Sequence, residues 1–296
     1  MKLFKILEQI EYFEIKADLD LEIEKVISLK EANLNNSAIT WCSDKNYLEL
    51  ENLNTNSIII VSNKVDLSIN NNLNYLIVEN PRKVFQEILV KFYTPKRTPH
   101  IHDSAVICST ARLGNNLIIG CNVVIEENCI IGDLVTILHN TIILKNSVIS
   151  NNVTIGCNTT IGGVGFGYEK DEKGIYQFIP HLGNVLIEEN VEIGNNVCID
   201  RAVLGSTILK KNVKVDNLVH IAHGVIIDEN SLIIANAMIG GSTEIGKNVW
   251  IAPSSTLMQK IKIEDNATVG LGAVVLKSVE EGTVVVGNPA KKIERK

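Results

Sequence analysis

The sequence predicts a mainly β protein: a parallel β-helix of hexapeptide repeats, with a small N-terminal α/β domain and a short C-terminal tail. Three observations carry this. An aliphatic residue falls at every sixth position from Ile101 through Ile107, Leu113, Ile119, Ile125, Ile131, Ile137, Ile143, Ile149 and Ile155 to Ile161. The series resumes at Ile187, Ile193 and Ile199 and, after a slip in phase, runs from Val215 through Ile221, Ile227, Ile233, Ile239, Ile245, Ile251, Leu257, Ile263 and Val269 to Val275. Residues before about 98 show no such spacing. A period of six fits neither a helix nor an alternating strand, whereas a β-helix takes one short strand and one corner from each hexad.

The N-terminal segment opens on an amphipathic helix pattern (Leu3, Ile6, Leu7, Ile10), continues through a strand-like run at Ser57-Ile58-Ile59-Ile60-Val61, and reaches a second helical pattern near Val84 to Leu89. This reads as an α/β domain over 1–98, closing near Pro95 to Pro99. The β-helix follows over 99–288. Leu113-Gly114-Asn115-Asn116-Leu117-Ile118 shows the grammar of a hexad. The aliphatic residue fills the axis of the coil, and Asn and Gly suit corners because they tolerate left-handed backbone angles. Three hexads close one coil, so residues three hexads apart stack about 4.8 Å apart along the axis. The remaining 289–296 form a short basic tail, ordinarily a solvated end.

Two breaks interrupt the hexads. The first is Gly162-Gly163-Val164-Gly165-Phe166-Gly167-Tyr168, followed by charged residues and Phe178-Ile179-Pro180-His181, so that a loop over 162–186 leaves the coil and returns at Leu186-Ile187. Long excursions from a scaffold often line a site, or pack subunits. The glycines lack a following Gly-Lys-Ser/Thr, which excludes a P-loop. The second break lies between Ile199 and Val215, just ahead of Asp216-Asn217-Leu218-Val219-His220-Ile221-Ala222-His223.

Composition narrows the function. A net charge of −6 over 296 residues argues against nucleic acid as the main partner. No apolar run approaches the ~20 residues of a membrane span. The N-terminus carries no signal-peptide core, and none of the six cysteines pairs at metal-ligand spacing; free thiols without a signal fit the cytoplasm. Cys129, at a small position within a hexad, reads as core packing.

Of the six histidines, 139, 220 and 223 lie within regular hexads. His220 and His223 do not point at one ion from a strand and a corner, and no third ligand stands out, so no metal is expected. His223 follows the axis residue Ile221 by two positions, which places it on an outer corner; most residues in that register, His139 included, read as ordinary solvated corners. Gly241 holds the same register one coil later. Its missing side chain leaves a backbone N–H open to a ligand. A base that titrates near neutrality beside an exposed N–H is what acyl transfer to an amine requires.

The order Gly165-Phe166-Gly167-Tyr168, Ile179-Pro180, Val191-Glu192-Ile193-Gly194, Ile199-Asp200-Arg201, Asp216-Asn217 and Ile221-Ala222-His223 resembles the UDP-3-O-acylglucosamine N-acyltransferases of lipid A synthesis, over roughly 99–275 and more weakly before it. The resemblance implies a left-handed coil, a homotrimer, His223 as general base and the Gly241 N–H as oxyanion donor. It also implies that Trp41 and Tyr47 sandwich a nucleotide base, that Asp44 meets the base's polar edge, and that Asn217 belongs to the substrate site. Otherwise Trp41 and Tyr47 are core residues of a small domain. Three departures stand out. Val164 occupies a position where the family has Asp, Lys260 stands where it has a second His near the sugar diphosphate, and the ending Val286-Gly287-Asn288-Pro289 lacks the family's helices that engage acyl carrier protein. That ending is similar to coenzyme-A-dependent sugar acetyltransferases. The expectation is therefore an N-acyltransferase moving a short or hydroxylated acyl group from acyl-CoA to a dTDP- or UDP-linked amino sugar, such as a 3-amino-3,6-dideoxyhexose of surface polysaccharide. Acyl carrier protein with UDP-3-O-acylglucosamine is the alternative pair, and a non-catalytic nucleotide-sugar-binding solenoid is the third reading.

Overall fold

The computed structural model describes residues 1–95 and 97–293. The chain divides into two compact units, Met1–Lys96 and Arg97–Lys296. The last three residues of the basic tail, 294–296, lie outside the described residues.

The first unit is built on a five-stranded sheet ordered Glu14–Lys16, Asn74–Val78, Ile58–Ser62, Ala38–Trp41, Lys25–Val26. The last four run parallel, and Glu14–Lys16 is antiparallel to Asn74–Val78. The central strand Ile58–Ser62 is buried throughout, which explains its unbroken aliphatic run. Its residues alternate between two layers: Ile58 and Ile60 pack with helices Leu3–Leu7 and Pro81–Ile88, while Ile59 and Val61 pack with Leu50, Leu73 and Tyr75 on the other face. The second helix starts as its sequence dictates, with Asn80 accepting from Lys83 N–H at 3.1 Å and Pro81 in the first turn.

The second unit is the left-handed parallel β-helix. Its three faces are sheets of 9, 8 and 11 strands among the described residues, most of them two residues long. Register is strict: Ile107, Ile125, Ile143, Ile161, Ile199, Ile221, Ile239, Leu257 and Val275 stack up one face. From Ile119 onward the axis residues are buried and form one continuous core. From Asn116 onward most corners turn through a residue at positive φ, and Asn fills most of these positions, as at Asn116, Asn122, Asn128 and Asn140.

Both interruptions are insertions into an otherwise intact coil. Ile149 pairs with Ile187 and Ile187 with Leu209, so the axis survives each one. Between Ile161 and Val185 the chain leaves as a hairpin, with Tyr168–Lys170 antiparallel to Tyr176–Phe178. The second insertion is a widened corner followed by the strand Ser206–Leu209. The tail is not simply a solvated end: Lys291–Ile293 pairs antiparallel with Val284–Val286.

Candidate functional site

His223 sits at the corner that follows Ile221, and its ring covers Gly241 one coil on. A Cβ built on Gly241 would stand 2.8 Å from His223 Nε2 and 2.9 Å from Cε1. No real Cβ contact is that short, so the sequence must place glycine there for the ring to lie where it does. At the same register on other corners, a side chain of the next coil takes the backbone N–H. Asp133 accepts from Asn115 at 2.6 Å, and Asp265 from Lys247 at 2.8 Å. Beyond Gly241 the stacked residue is Gln259, and no protein group takes the Gly241 N–H among the described residues. The site therefore holds an imidazole and an uncommitted backbone donor side by side.

The two insertions bring further groups to this corner. His181, from the returning limb of the hairpin, is 7% exposed, and its ring meets that of His223 edge-on at 5.3 Å between centroids. Its Nδ1 donates to the Ile179 carbonyl at 2.8 Å, because a carbonyl only accepts. Its Nε2 is buried without a partner. Gly165 packs against both rings; a Cβ there would lie 2.7 Å from His181 Nε2 and 3.0 Å from His223 Cβ. An aromatic series, Phe166, Tyr168, Phe178, His181, continues outward along the hairpin.

Asp200 and Arg201 show why the Ile-Asp-Arg segment carries charge inside a coil. Arg201 is buried and donates from Nε to the Gly162 carbonyl at 2.7 Å, which anchors the start of the hairpin excursion. Asp200 points the other way, and its carboxylate lies 3.7 Å from His220 Nε2. Burial raises the Asp200 pKa, with His220, His223 and His181 pulling it back down. Burial lowers that of His223; His181 and Lys260 push the same way, and Asp200 opposes them. A base with a depressed pKa stays unprotonated at neutral pH. Sequence reasoning missed His181 and Asp200 as site residues. Charged pairs also follow the axis residues Ile125, Ile187, Ile227 and Ile263, so the Asp200-Arg201 pair carried no distinguishing signal in the sequence.

Beside Gly241 opens a cleft of about 360 Å³ lined by Met238, Gly240, Leu257, Met258, Val274 and Leu276, with Thr256 and Gln259 as its polar members. Lys260 stands exposed at the corner beyond, with φ of 60°, and its N–H donates to the Gly241 carbonyl at 2.9 Å. Asn217 is elsewhere. It lies on the corner that follows Val215, where its Oδ1 accepts from Asn195 N and Nδ2 at 2.7 and 2.8 Å and its Nδ2 donates to Asp216 at 2.9 Å. His139 is a partner in its own column, where Nδ1 accepts from Cys121 N at 3.0 Å. No group of three metal-ligating side chains occurs among the described residues.

In the first unit, Trp41, Asp44 and Tyr47 gather at the C-terminal end of the parallel strands, the edge where open α/β sheets take ligands. Trp41 packs on one core layer and Tyr47 on the other. Asp44 accepts from Ser62 Oγ at 2.7 Å. A separate cleft of about 740 Å³ lies between Glu8–Phe13 and Glu79–Lys91 of the same unit. Four carboxylates against two lysines make it a poor seat for a diphosphate.

A model of the bacterial transferase hexapeptide (six repeats) matches residues 122–163. A UDP-3-O-acylglucosamine N-acyltransferase of Campylobacter lari is 42% identical over 282 residues, covering 91% of this chain and 88% of that protein. The chain belongs to the UDP-3-O-acylglucosamine N-acyltransferase family. A protein of the same name from Helicobacter pylori J99 is 35% identical over 260 residues, 83% of this chain and 77% of its own length. Other relatives match over less: the one from Wolinella succinogenes is 41% identical over 128 residues, so that the chain spans 40% of its length. Among solved structures, a UDP-N-acetylglucosamine acyltransferase from Bacteroides fragilis superposes with a TM-score of 0.60 at 26% identity, covering 66% of this chain and 74% of that one. One from Campylobacter jejuni, at 20% identity and a TM-score of 0.58, shares the fold.

Membership of this family bears out an N-acyltransferase over a non-catalytic solenoid. It overturns the expectation of a coenzyme-A-dependent enzyme for dTDP-amino sugars. Relatives matched across most of the chain bear the UDP-3-O-acylglucosamine name, and the chain's ending is no guide to the donor. No helix among the described residues is long and apolar enough to cross a membrane.

Proposed function

We propose that this protein transfers an acyl group from acyl carrier protein to the free amine of UDP-3-O-acylglucosamine. The observation that carries the reading is His223 lying over Gly241, with an apolar cleft opening beside the pair. His223 takes a proton as the amine attacks the thioester carbonyl. The Gly241 N–H stabilises the oxyanion that forms, a kind of interaction worth roughly 10²–10³ in rate. The Met238, Met258 and Leu276 surface suits the acyl chain, because burying each methylene yields about 0.8 kcal/mol. Lys260, an exposed cation at the same end, meets the diphosphate. Trp41 and Tyr47 hold the uracil, with Asp44 at its polar edge, and Asn217 supports the corner that leads into His220. The working assembly is a cytoplasmic homotrimer with substrates bound between subunits.

The test is a mass-spectrometric assay of purified protein. A 3-hydroxyacyl carrier protein is offered with UDP-3-O-acylglucosamine, in parallel with acyl-CoA and the same acceptor. A diacylated UDP-sugar formed from the carrier-protein donor is expected. Product from acyl-CoA alone, or no acylation of the acceptor by either donor, would overturn the proposal.

A further inference from the structure

His223 and Gly241 carry the proposed acyl transfer, and one half-buried acid stands beside them without a task. The Asp200 side chain is 13% exposed, and its carboxylate lies 3.7 Å from His220 Nε2, too far for a direct hydrogen bond. The fold makes room for it: a Cβ on Gly163 would come within 3.1 Å of Asp200 Oδ1. It also ties Asp200 to the catalytic corner. Thr207 Oγ1 donates to the Asp200 carbonyl at 2.6 Å and accepts from the N–H of Gly224, the neighbour of His223, at 2.8 Å. A partly desolvated carboxylate on a backbone held this firmly is costly unless positive charge appears beside it.

The reaction supplies that charge. The amine nitrogen attacks the thioester carbon and the C–N bond forms. One amine proton passes to His223. The tetrahedral intermediate collapses, the C–S bond breaks, and the departing sulfur leaves as a thiol with the proton that His223 returns. Midway, His223 is an imidazolium in a half-buried place. The groups whose charge acts on it are His181 from the hairpin, Lys260 from the corner beyond and Asp200, and His220 stands on the Asp200 carboxylate at 3.7 Å. Of these, Asp200 alone is anionic.

We propose that Asp200 is a positioning residue of the acyl transfer, the fixed counter-charge that lets His223 hold the proton between attack and collapse. The inference rests on the proposed function for its kinetic readout but has a readout of its own. In Asp200→Asn, kcat falls by about ten- to a hundredfold, a share of the ~10²–10⁴ that a positioned base contributes. KM for the acceptor stays within about twofold, the signature of an interaction made after binding. The acid limb of the rate profile moves to lower pH, because His223 loses the group that favours its charged form. NMR titration of the His223 ring, without substrate, shows the same downward move and applies even if neither donor supports turnover. Asp200→Glu recovers much of kcat if it reaches His223. Unchanged kcat together with an unchanged His223 titration would overturn the proposal, and so would a raised KM at constant kcat. If Asp200→Asn does not fold, Asp200→Ser carries the test: wild-type kcat and an unmoved His223 titration in a folded protein without the carboxylate would also overturn it.

Discussion

The coils from Ile101 to Ile161 and those from Cys198 to Lys260 obey the same register, yet their corners differ. In the first group the left-handed position is Asn at 116, 122, 128, 140, 146, 152 and 158, with Leu134 the exception. In the second it is Leu218, Gly224, Ser242, Ser254 and Lys260 as well as Asn212, Asn230, Asn236 and Asn248. A side chain in that region costs roughly 1–2 kcal/mol, and Asn reduces the penalty by bonding locally. The early coils take the low-cost residue and stack it in ladders, Asn122 donating to Asn140 at 3.2 Å. The later coils give it up at several corners, among them the three around His223, Gly241 and Gln259. Departures from a local rule concentrate where a site has replaced stability as the selected property.

The contrast can be broken most severely at His223. His223→Ala should lower kcat by about 10²–10⁴ while circular dichroism and UDP-sugar binding persist. The same replacement at His139, in the equivalent register of an early coil, should leave turnover within about twofold. Retained activity in His223→Ala would remove the distinction between the two regions. Gly241→Ala comes next, at roughly 10²–10³ in kcat, since the new methyl occupies the place of the His223 ring and shields the N–H. Gly120 is a useful counterpart, because a Cβ there would also meet a histidine, His139 Nδ1 at 2.7 Å. Gly120→Ala should lower the melting temperature without changing kcat in the folded protein. Smaller still, Asn140→Ala should destabilise by about 1–2 kcal/mol in denaturant unfolding, with kcat unchanged. The smallest effect sharpens the contrast from the other side. Lys260→Asn should stabilise by a few tenths of a kcal/mol at most, by restoring the corner residue, and should raise the acceptor KM by removing a cation. A stabilised variant with an unaltered KM would take Lys260 out of the proposed site.

The fold was legible because its signal is additive. One Ile per hexad is weak, but an unbroken series from Ile101 to Ile161 fixes period, core and corner at once. The same count found the His223 and Gly241 pair, since residues three hexads apart must stack. Counting fails where the chain stops counting. His181 arrives on the far limb of a hairpin and Asp200 sits at the lip of an insertion, so no spacing rule relates either to His223. Asn217 shows the opposite case. It is in perfect register, but on a different corner, and its amide is engaged by Asn195 and Asp216. The donor was misread because a chain ending was given the weight of a motif.

The antiparallel return of Lys291–Ile293 onto Val284–Val286 bears on how the molecule behaves in a crowded solution. A stack of parallel strands is half of a fibre: its last rung offers a row of unpaired amides that another copy can extend. Here the chain folds over that rung on one face, in the opposite direction and with two lysines, Lys291 and Lys292, in the covering strand. The polarity is wrong for continued parallel growth, and lysines on an edge strand discourage further pairing. A hairpin of three-residue strands thus covers part of an open edge, and deleting Lys291–Ile293 is expected to raise the protein's tendency to aggregate.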